Sequence, residues 1–224
     1  MERNLLSGLR TIALGAVVLG VSSVAAQGAV LNPSFETPPL ADGGFVNLSS
    51  FSGTYSWQES GASTSFIYNP VASEMPSSEF DGENLVLLDA DNGYTVVYQT
   101  LSDTVDTNQT YELKFLVGRG NGFTLNDYKV SLWDGDSEVA SIDNGVGGSG
   151  PSPAAGTMDE VTLAYTPQIG DSGAFTIYIE PLGTAFNGLI YVDNIRLNVI
   201  PEPSAAALLG LGASALVMRR RRHA

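Results

Sequence analysis

Hydrophobic and polar residues alternate along several segments of the chain between residues 27 and 200. In residues 111–117 and 128–132, apolar side chains occupy every second position. Residues 161–165 and 175–179 show the same period. A period of two is typical of a β-strand that buries one face, and this part of the chain has no helix-period pattern of useful length. It is therefore predicted to be all-β.

Turn-forming residues separate the predicted strands. Asn92-Gly93 and Asp134-Gly135 accept the positive φ angles that tight hairpins require. Residues 145–156 are rich in glycine and proline, which predicts a long loop. About ten short strands within the length of one domain favour an antiparallel β-sandwich.

The first 26 residues have the pattern of a secretory signal peptide. Arg3 and Arg10 supply a basic start, and residues 11–21 form an apolar stretch. Small residues follow and end at Ala26, after which we expect cleavage by signal peptidase. An uncleaved membrane anchor is the alternative, but the apolar stretch is short compared with the roughly 20 residues that a span needs.

The other end of the chain carries a second apolar stretch, residues 205–218, between two polar signals. The triplet before it is Pro201-Glu202-Pro203, and its two prolines keep the backbone extended and accessible. A basic cluster follows it: Arg219, Arg220, Arg221 and Arg222. These arginines would hold the end of a membrane helix on the cytoplasmic side. A helix buried in a protein core is the alternative, which four consecutive arginines disfavour.

This order of triplet, apolar helix and terminal arginines resembles the PEP-CTERM sorting signal. The resemblance implies recognition by an exosortase, a membrane-embedded transpeptidase of Gram-negative bacteria that produce exopolysaccharide. It implies membrane attachment through the C-terminal helix before processing, cleavage near the triplet, and export to the cell surface or extracellular matrix. The chain is then divided into a signal helix (1–26), an antiparallel β-sandwich (27–198) and a tail with a hydrophobic helix (199–224).

The charge of the chain is distributed unevenly. The whole chain has a formal net charge of −14. All its acidic residues except Glu2 and Glu202 lie between the two terminal segments, which hold most of its basic residues. A strongly acidic central domain repels nucleic acid, so nucleic acid is not expected as a partner. The chain has no cysteine, and therefore the fold does not depend on disulfides.

Two segments at the edges of the central domain carry a further resemblance. The domain opens with Asn32-Pro33-Ser34-Phe35-Glu36 and closes with Tyr191-Val192-Asp193-Asn194-Ile195-Arg196-Leu197. This resembles the jelly roll of galactose-binding-like domains and carbohydrate-binding modules. In that family the opening glutamate and the closing aspartate often share a structural calcium ion, which implies a Ca²⁺ site at Glu36 and Asp193.

The position of Asp193 in its strand bears on this calcium prediction. Asp193 is in step with Ile195, Leu197 and Val199, which are expected to face the core. An inward carboxylate must be paired, protonated or bound to a metal. The alternative is a β-bulge that turns Asp193 outward.

Few residues of the central domain suggest catalysis. There is no cysteine, and the one histidine, His223, lies beyond the arginine cluster. A nucleophilic triad and a histidine-rich metal site are both excluded from the domain. We therefore expect that the protein is not an enzyme. The alternative is a surface enzyme that acts on polysaccharide with paired carboxylates.

Glycan binding would require an exposed aromatic side chain. Trp133 is out of phase with the inward residues of its predicted strand, and Trp57 has no fixed phase, so both are candidate glycan contacts. Tyr94 and Tyr98 are further candidates. A tryptophan of the core is the alternative for each indole. The sequence therefore predicts a structural or adhesive component associated with exopolysaccharide, with glycan as a candidate ligand.

Overall fold

The computed structural model describes residues 29–51, 56–61, 65–89, 95–183 and 188–200. They form two packed β-sheets, and therefore the predicted β-sandwich with jelly-roll architecture is confirmed. The larger sheet has seven strands in the order β1-β3-β4-β12-β6-β10, with β7 added in parallel to β12. Its strands are β1 (Phe45–Asn47), β3 (Ser65–Tyr68), β4 (Leu85–Asp89), β6 (Thr110–Arg119), β7 (Thr124–Leu125), β10 (Thr157–Tyr165) and β12 (Gly188–Ile200).

The smaller sheet has five antiparallel strands in the order β2-β5-β11-β8-β9. They are β2 (Gln58–Gly61), β5 (Thr95–Thr104), β8 (Tyr128–Asp134), β9 (Ser137–Asp143) and β11 (Ala174–Pro181). A short 3-10 turn, Leu48–Phe51, follows β1. The predicted hairpin at Asp134-Gly135 joins β8 to β9, and the predicted long loop joins β9 to β10.

The hydrophobic core lies between the two sheets, where the alternating residues of both meet. In β6 the buried residues are Tyr111, Leu113, Phe115 and Val117, as their period of two predicted. Tyr128, Val130 and Leu132 of β8 and Phe175, Ile177 and Ile179 of β11 face them from the other sheet. The alternation therefore gave the correct buried face for each of these strands.

Trp57 is part of this core and is 0% exposed. Its ring packs 5.3 Å from that of Phe35, and its Nε1 donates a hydrogen bond to the carbonyl oxygen of Asn32 (3.1 Å). The prediction that Trp57 contacts a glycan was wrong, because the opening segment of the domain covers the indole. A buried indole satisfies its N–H in this way and contributes packing rather than a binding surface.

Strand β12 contains a β-bulge that changes the phase expected for Asp193. Asp193 pairs with Leu116 and Arg196 pairs with Lys114, so two residues of β12 lie opposite one residue of β6. Asn194, inside the bulge, has a φ of 50°. Ile195 faces the core, whereas Asp193 lies on the opposite face of the sheet. The inward orientation predicted for Asp193 was wrong, and the bulge that stood as the alternative is present.

Asp193 is nevertheless 0% exposed, because the chain covers the outer face of the seven-stranded sheet at this point. A second apolar cluster fills that face: Met75, Phe80, Leu85, Met158, Leu189 and Tyr191. The predicted signal helix and the predicted C-terminal hydrophobic helix lie outside the described residues. Within the described ranges, no helix is long and apolar enough to cross a membrane.

Candidate functional site

A groove lies on the outer face of the seven-stranded sheet, away from the core. It has a volume of about 210 Å³, and the described residues that line it are Phe45, Phe66, Tyr68, Leu87, Asp89 and Leu189. They come from four adjacent strands, β1, β3, β4 and β12. Side chains alternate along a strand, so the outward residues of neighbouring strands form one continuous surface. This surface is apolar and aromatic except at one end.

Phe45 and Phe66 form the aromatic wall of the groove. Their rings meet edge to face, with centroids 5.4 Å apart. Phe45 is 65% exposed, which is unusual for so large an apolar side chain. An exposed aromatic residue beside a concave apolar surface is typical of a binding site.

Asp89 is the charged residue among the described residues that line the groove. It ends strand β4, where it pairs with Leu189 of β12, and it is partly buried. A carboxyl group in this position can act on a molecule bound in the groove, provided that the reacting atom lies within hydrogen-bond distance of it.

A cluster of two tyrosines and one glutamate supports the side of the groove. Tyr68 donates a hydrogen bond to Oε2 of Glu74 (2.5 Å), and Tyr191 donates one to Oε1 of the same carboxylate. Burial raises the pKa of both phenols, and the negative charge of Glu74 raises each further. Both hydroxyls therefore remain protonated donors near neutral pH. The Glu74 carboxylate thus links the two tyrosines through their hydroxyl groups. It holds Tyr68, which lines the groove, in a fixed position relative to Tyr191, which is fully buried.

Gly120 allows this cluster to form. A Cβ atom at position 120 would lie 2.6 Å from Cγ of Glu74 and 2.9 Å from the hydroxyl of Tyr191. Any side chain at this position would push the carboxylate away from the two tyrosines. The cluster joins residues that are distant in sequence, and no sequence motif predicted it.

The two predicted calcium ligands lie in one neighbourhood with a third carboxylate, Asp81. Oδ2 of Asp193 accepts a hydrogen bond from the backbone N–H of Asp81 (2.6 Å), and Oδ1 of Asp193 is buried without a hydrogen-bond partner among the described residues. Burial raises the pKa of Asp193 to about 8; hydrogen bonds from the backbone N–H groups of Asp81 and Asn194 oppose the shift, and the charges of Asp81 and Glu36 add to it.

Glu36 is held close to this pair by the loop that contains Asp81. Its Oε1 accepts hydrogen bonds from the backbone N–H groups of Glu83 (2.9 Å) and Asn84 (2.8 Å). Gly82 has a φ of +81°, and a Cβ atom there would clash with the Glu36 carboxylate. The sequence marked Asp81-Gly82 only as a turn. In the described part of the chain, no group of three or more histidine, cysteine, aspartate or glutamate side chains has the arrangement of a metal site.

The sequence of the chain matches the model of one protein family over most of its length. The model of the HpiC1-like family, described as HpiC1 cyclase, matches residues 26–198. The chain belongs to the HpiC1-like cyclase family. The expectation that the protein is not an enzyme was wrong, since its family is one of cyclases. No curated protein matches the chain.

Solved cyclases share the fold of this HpiC1-like chain. A Stig cyclase, Fisc from Fischerella sp. TAU, in complex with (3Z)-3-(1-methyl-2-pyrrolidinylidene)-3H-indole, is 19% identical, with a TM-score of 0.63 over 77% of this chain and 98% of that one. A cyclase from the same organism in complex with 4-(1H-indol-3-yl)butan-2-one is 18% identical, with a TM-score of 0.62 over 80% of this chain and 100% of that one.

A carbohydrate-binding module in complex with β-1,4-galactotriose also resembles the HpiC1-like domain. It is 17% identical, with a TM-score of 0.46 over 78% of this chain and 99% of that one.

The remaining predicted site residues fall into two groups. Trp133 lies on the outer face of the five-stranded sheet and is partly exposed, and its Nε1 donates a hydrogen bond to Oγ of Ser131 (2.9 Å). The sorting triplet and the four arginines of the tail lie outside the described residues, as do Tyr94 and the predicted signal peptide.

Proposed function

We propose that the protein is a cyclase whose active site is the groove on the outer face of the seven-stranded sheet. The observation that carries the proposal is a concave aromatic surface with one carboxyl group, Asp89, in a chain of the HpiC1-like cyclase family. The substrate class is an apolar aromatic small molecule, such as an indole with an unsaturated side chain. Its rings would pack against Phe45 and Phe66, and its reacting end would lie near Asp89.

The chemistry of ring closure suits such a site. In a cyclisation that conserves the molecular formula, one carbon gains a proton, a new carbon–carbon bond forms at the expense of a π bond, and another carbon loses a proton. Asp89 would donate the first proton as an acid and accept the second as a carboxylate. The faces of Phe66 and Tyr68 would stabilise positive charge that develops on the substrate between these steps. No redox cofactor is required for this reaction.

Binding to the groove is tested by calorimetric titration of the purified protein with 4-(1H-indol-3-yl)butan-2-one. Phe66→Ala should weaken binding by about tenfold, which corresponds to about 1.4 kcal/mol of lost packing. Ile169→Ala is the matched control, because Ile169 is fully exposed on a loop away from the groove. Equal affinity of both variants and the parent protein would contradict the location of the site.

Catalysis is tested with indoles that carry an alkene chain, by searching for a product of identical mass and different retention time. Asp89→Asn should abolish formation of the isomer while preserving binding, because the amide cannot transfer the proton. An isomer that forms equally fast with the variant would exclude Asp89 as the acid.

Export and sorting form a second part of the proposal. The triplet Pro201-Glu202-Pro203, the apolar residues 205–218 and the terminal arginines support processing by signal peptidase and an exosortase, with delivery to the cell surface or the extracellular matrix. Strand β12 ends at Ile200, so cleavage at the triplet would leave all the strands of the described residues in place. Such a protein would act within the exopolysaccharide matrix, and an adhesive role there is compatible with a separate small-molecule site.

Mass spectrometry of the mature C-terminus tests this sorting step in a host with and without its exosortase. The residues after the triplet should be lost only when the exosortase is present. A tail that keeps its arginines in both hosts would refute the sorting proposal.

A structural calcium ion is the third part of the proposal. The charges of Asp81 and Glu36 act on the buried carboxyl group of Asp193, and its Oδ1 has no hydrogen-bond partner among the described residues. Calcium prefers carboxylate and carbonyl oxygens, which is the type of ligand that these residues offer, although no three of the described acidic side chains already have the arrangement of a metal site. The ion would fasten the opening segment of the domain to its last strand, and it would have no part in proton transfer at the groove.

A further inference from the structure

A second aromatic surface lies on the outer face of the five-stranded sheet, on the opposite side of the sandwich from the groove. Tyr98, Tyr178 and Trp133 form it, and we call it the aromatic strip. The rings of Tyr98 and Tyr178 are stacked, with centroids 5.4 Å apart and an interplanar angle of 23°. The Trp133 ring lies 5.2 Å from that of Tyr178. The three rings therefore form one continuous row.

Strand register places these rings together on the outer face. Tyr98 of β5 pairs directly with Tyr178 of β11, and Trp133 of β8 pairs with Thr176, two residues from Tyr178. The neighbours of each ring in sequence, such as Val97 and Ile177, belong to the core between the sheets. Since side chains alternate, all three rings point away from the core, and all three are partly exposed.

Hydrogen bonds hold the ends of the aromatic strip in a fixed orientation. Gln58 of β2 accepts a hydrogen bond from the Tyr98 hydroxyl at one end (2.8 Å). At the other end, Oγ of Ser131 accepts the hydrogen bond from Trp133. These two hydrogen bonds hold the Tyr98 and Trp133 rings in one orientation in the absence of a ligand. Little conformational entropy is therefore lost on binding.

Polar groups of two neighbouring strands flank the strip. Lys129 of β8 forms an ion pair with Glu138 of β9 (2.5 Å). Glu138 lies directly opposite Trp133 in the pairing of these two strands. Lys129 also lies 3.9 Å from Glu180 of β11. The ammonium group of Lys129 is thus neutralised by two carboxylates, so this side of the strip offers no net positive charge to an anion.

We propose that the aromatic strip binds a neutral polysaccharide. The apolar faces of sugar rings pack on aromatic rings, and the hydroxyl groups at the sugar edges match the polar side chains beside the strip, such as Gln58 and Glu138. The strip crosses three strands, about 10 Å, and Gln58 and Glu138 lie on the strands next to its two ends, which suits a chain of several sugars. The acidic character of the domain and the carboxylates of Glu138 and Glu180 beside the strip disfavour an acidic polysaccharide as the occupant.

This site is independent of the cyclase groove. The groove is concave and apolar, which suits a small aromatic molecule, whereas the strip is open and bordered by polar groups. A protein with both surfaces would carry its catalytic site on one face of the sandwich and attach to a polysaccharide through the other.

The test is affinity electrophoresis of the protein in gels that contain a neutral β-glucan, a neutral β-1,4-galactan or acidic polygalacturonate. At least one neutral polymer should retard the protein, and polygalacturonate should not. Trp133→Ala and Tyr178→Ala should each weaken retention by about tenfold, a usual loss for an aromatic anchor. Ile169→Ala, on an exposed loop, should leave retention unchanged.

Controls separate loss of binding from loss of folding. Thermal melting identifies any variant that fails to fold, and Trp133→Phe, which keeps an aromatic face, should retain more binding than Trp133→Ala. Retardation by neither neutral polymer, retardation by polygalacturonate instead, or equal retention of Trp133→Ala and the parent protein would overturn the proposal. These results are independent of indole binding in the groove, so the two proposals can fail separately.

Discussion

The stability of the protein is expected to fall as the pH rises from about 4 to about 8, and replacement of Asp193 by asparagine should remove most of this dependence. The pKa of Asp193 is about 8 in the folded protein, compared with an ordinary value of 3.8. Between these two values the folded state holds a proton that the unfolded state has released. The free energy of unfolding must therefore fall as the pH rises from about 4 to about 8, and the stabilising effect of the proton is complete only below pH 4.

The magnitude follows from the size of the shift. A raised pKa of about 8 corresponds to a loss of as much as about 6 kcal/mol across this interval, since each unit is worth about 1.4 kcal/mol. The total stability of a domain is about 5–15 kcal/mol, so the effect should dominate the pH profile. The side chain introduced by Asp193→Asn would be neutral at every pH and would still accept the hydrogen bond from Asp81 through its amide oxygen.

The assay is urea unfolding at several pH values between 4 and 8 in the presence of a chelator. The parent protein should lose several kcal/mol over this range, and Asp193→Asn should be nearly flat. Asp136→Asn, a change of an exposed turn residue, is the matched control and should follow the parent protein. Excess Ca²⁺ at pH 8 should restore stability to the parent protein and not to Asp193→Asn, because the cation replaces the proton at this site.

Two results would refute this reasoning. Parallel pH profiles for the parent protein and Asp193→Asn would show that Asp193 is not the group that titrates. A parent protein whose melting temperature at pH 8 is the same in excess Ca²⁺ and in excess chelator would refute the calcium site, while the proton effect could still stand.

Three further substitutions test the packing of the core, of the tyrosine–glutamate cluster and of the loop beside Glu36. Trp57→Ala should lower the free energy of unfolding by about 3–5 kcal/mol in urea denaturation, because it empties a fully buried volume. Tyr191→Phe should cost about 1–3 kcal/mol in the same assay, since Glu74 then keeps only one tyrosine donor; an unchanged value would exclude a structural role for the cluster. Gly82→Ala should lower the melting temperature, because it combines a positive φ with a clash against Glu36.

The sequence predicted the fold class because the two sheets bury one face of most strands. The alternation in residues such as Leu113 and Phe115 is the direct result of this burial, and the structure confirms it. Sheet membership and strand order were not predictable, because they depend on contacts between distant segments. The bulge at Asn194 reversed the phase of Asp193, and nothing in the local pattern of apolar residues indicates where an extra residue is inserted.

The candidate site shows a different limit of sequence reasoning. The absence of cysteine and of a histidine within the domain argued against nucleophilic triads, and from this the protein was wrongly expected not to be an enzyme. The proposed acid-catalysed cyclisation instead uses a carboxyl group beside an apolar surface. Asp89 was one of many acidic residues in the sequence, and only the register of β1, β3, β4 and β12 brings it to the end of an aromatic groove. Trp133 was identified correctly as an outward residue because its phase within β8 is regular.

A crystal structure of the protein with 4-(1H-indol-3-yl)butan-2-one tests the central claim most directly. We expect the indole ring to pack against Phe45 and Phe66 in the groove, with the carbonyl group of the ligand directed toward Asp89. Binding of the ligand at any other surface, or an empty groove at a ligand concentration that saturates the protein in calorimetry, would contradict the assignment of this groove as the cyclase site.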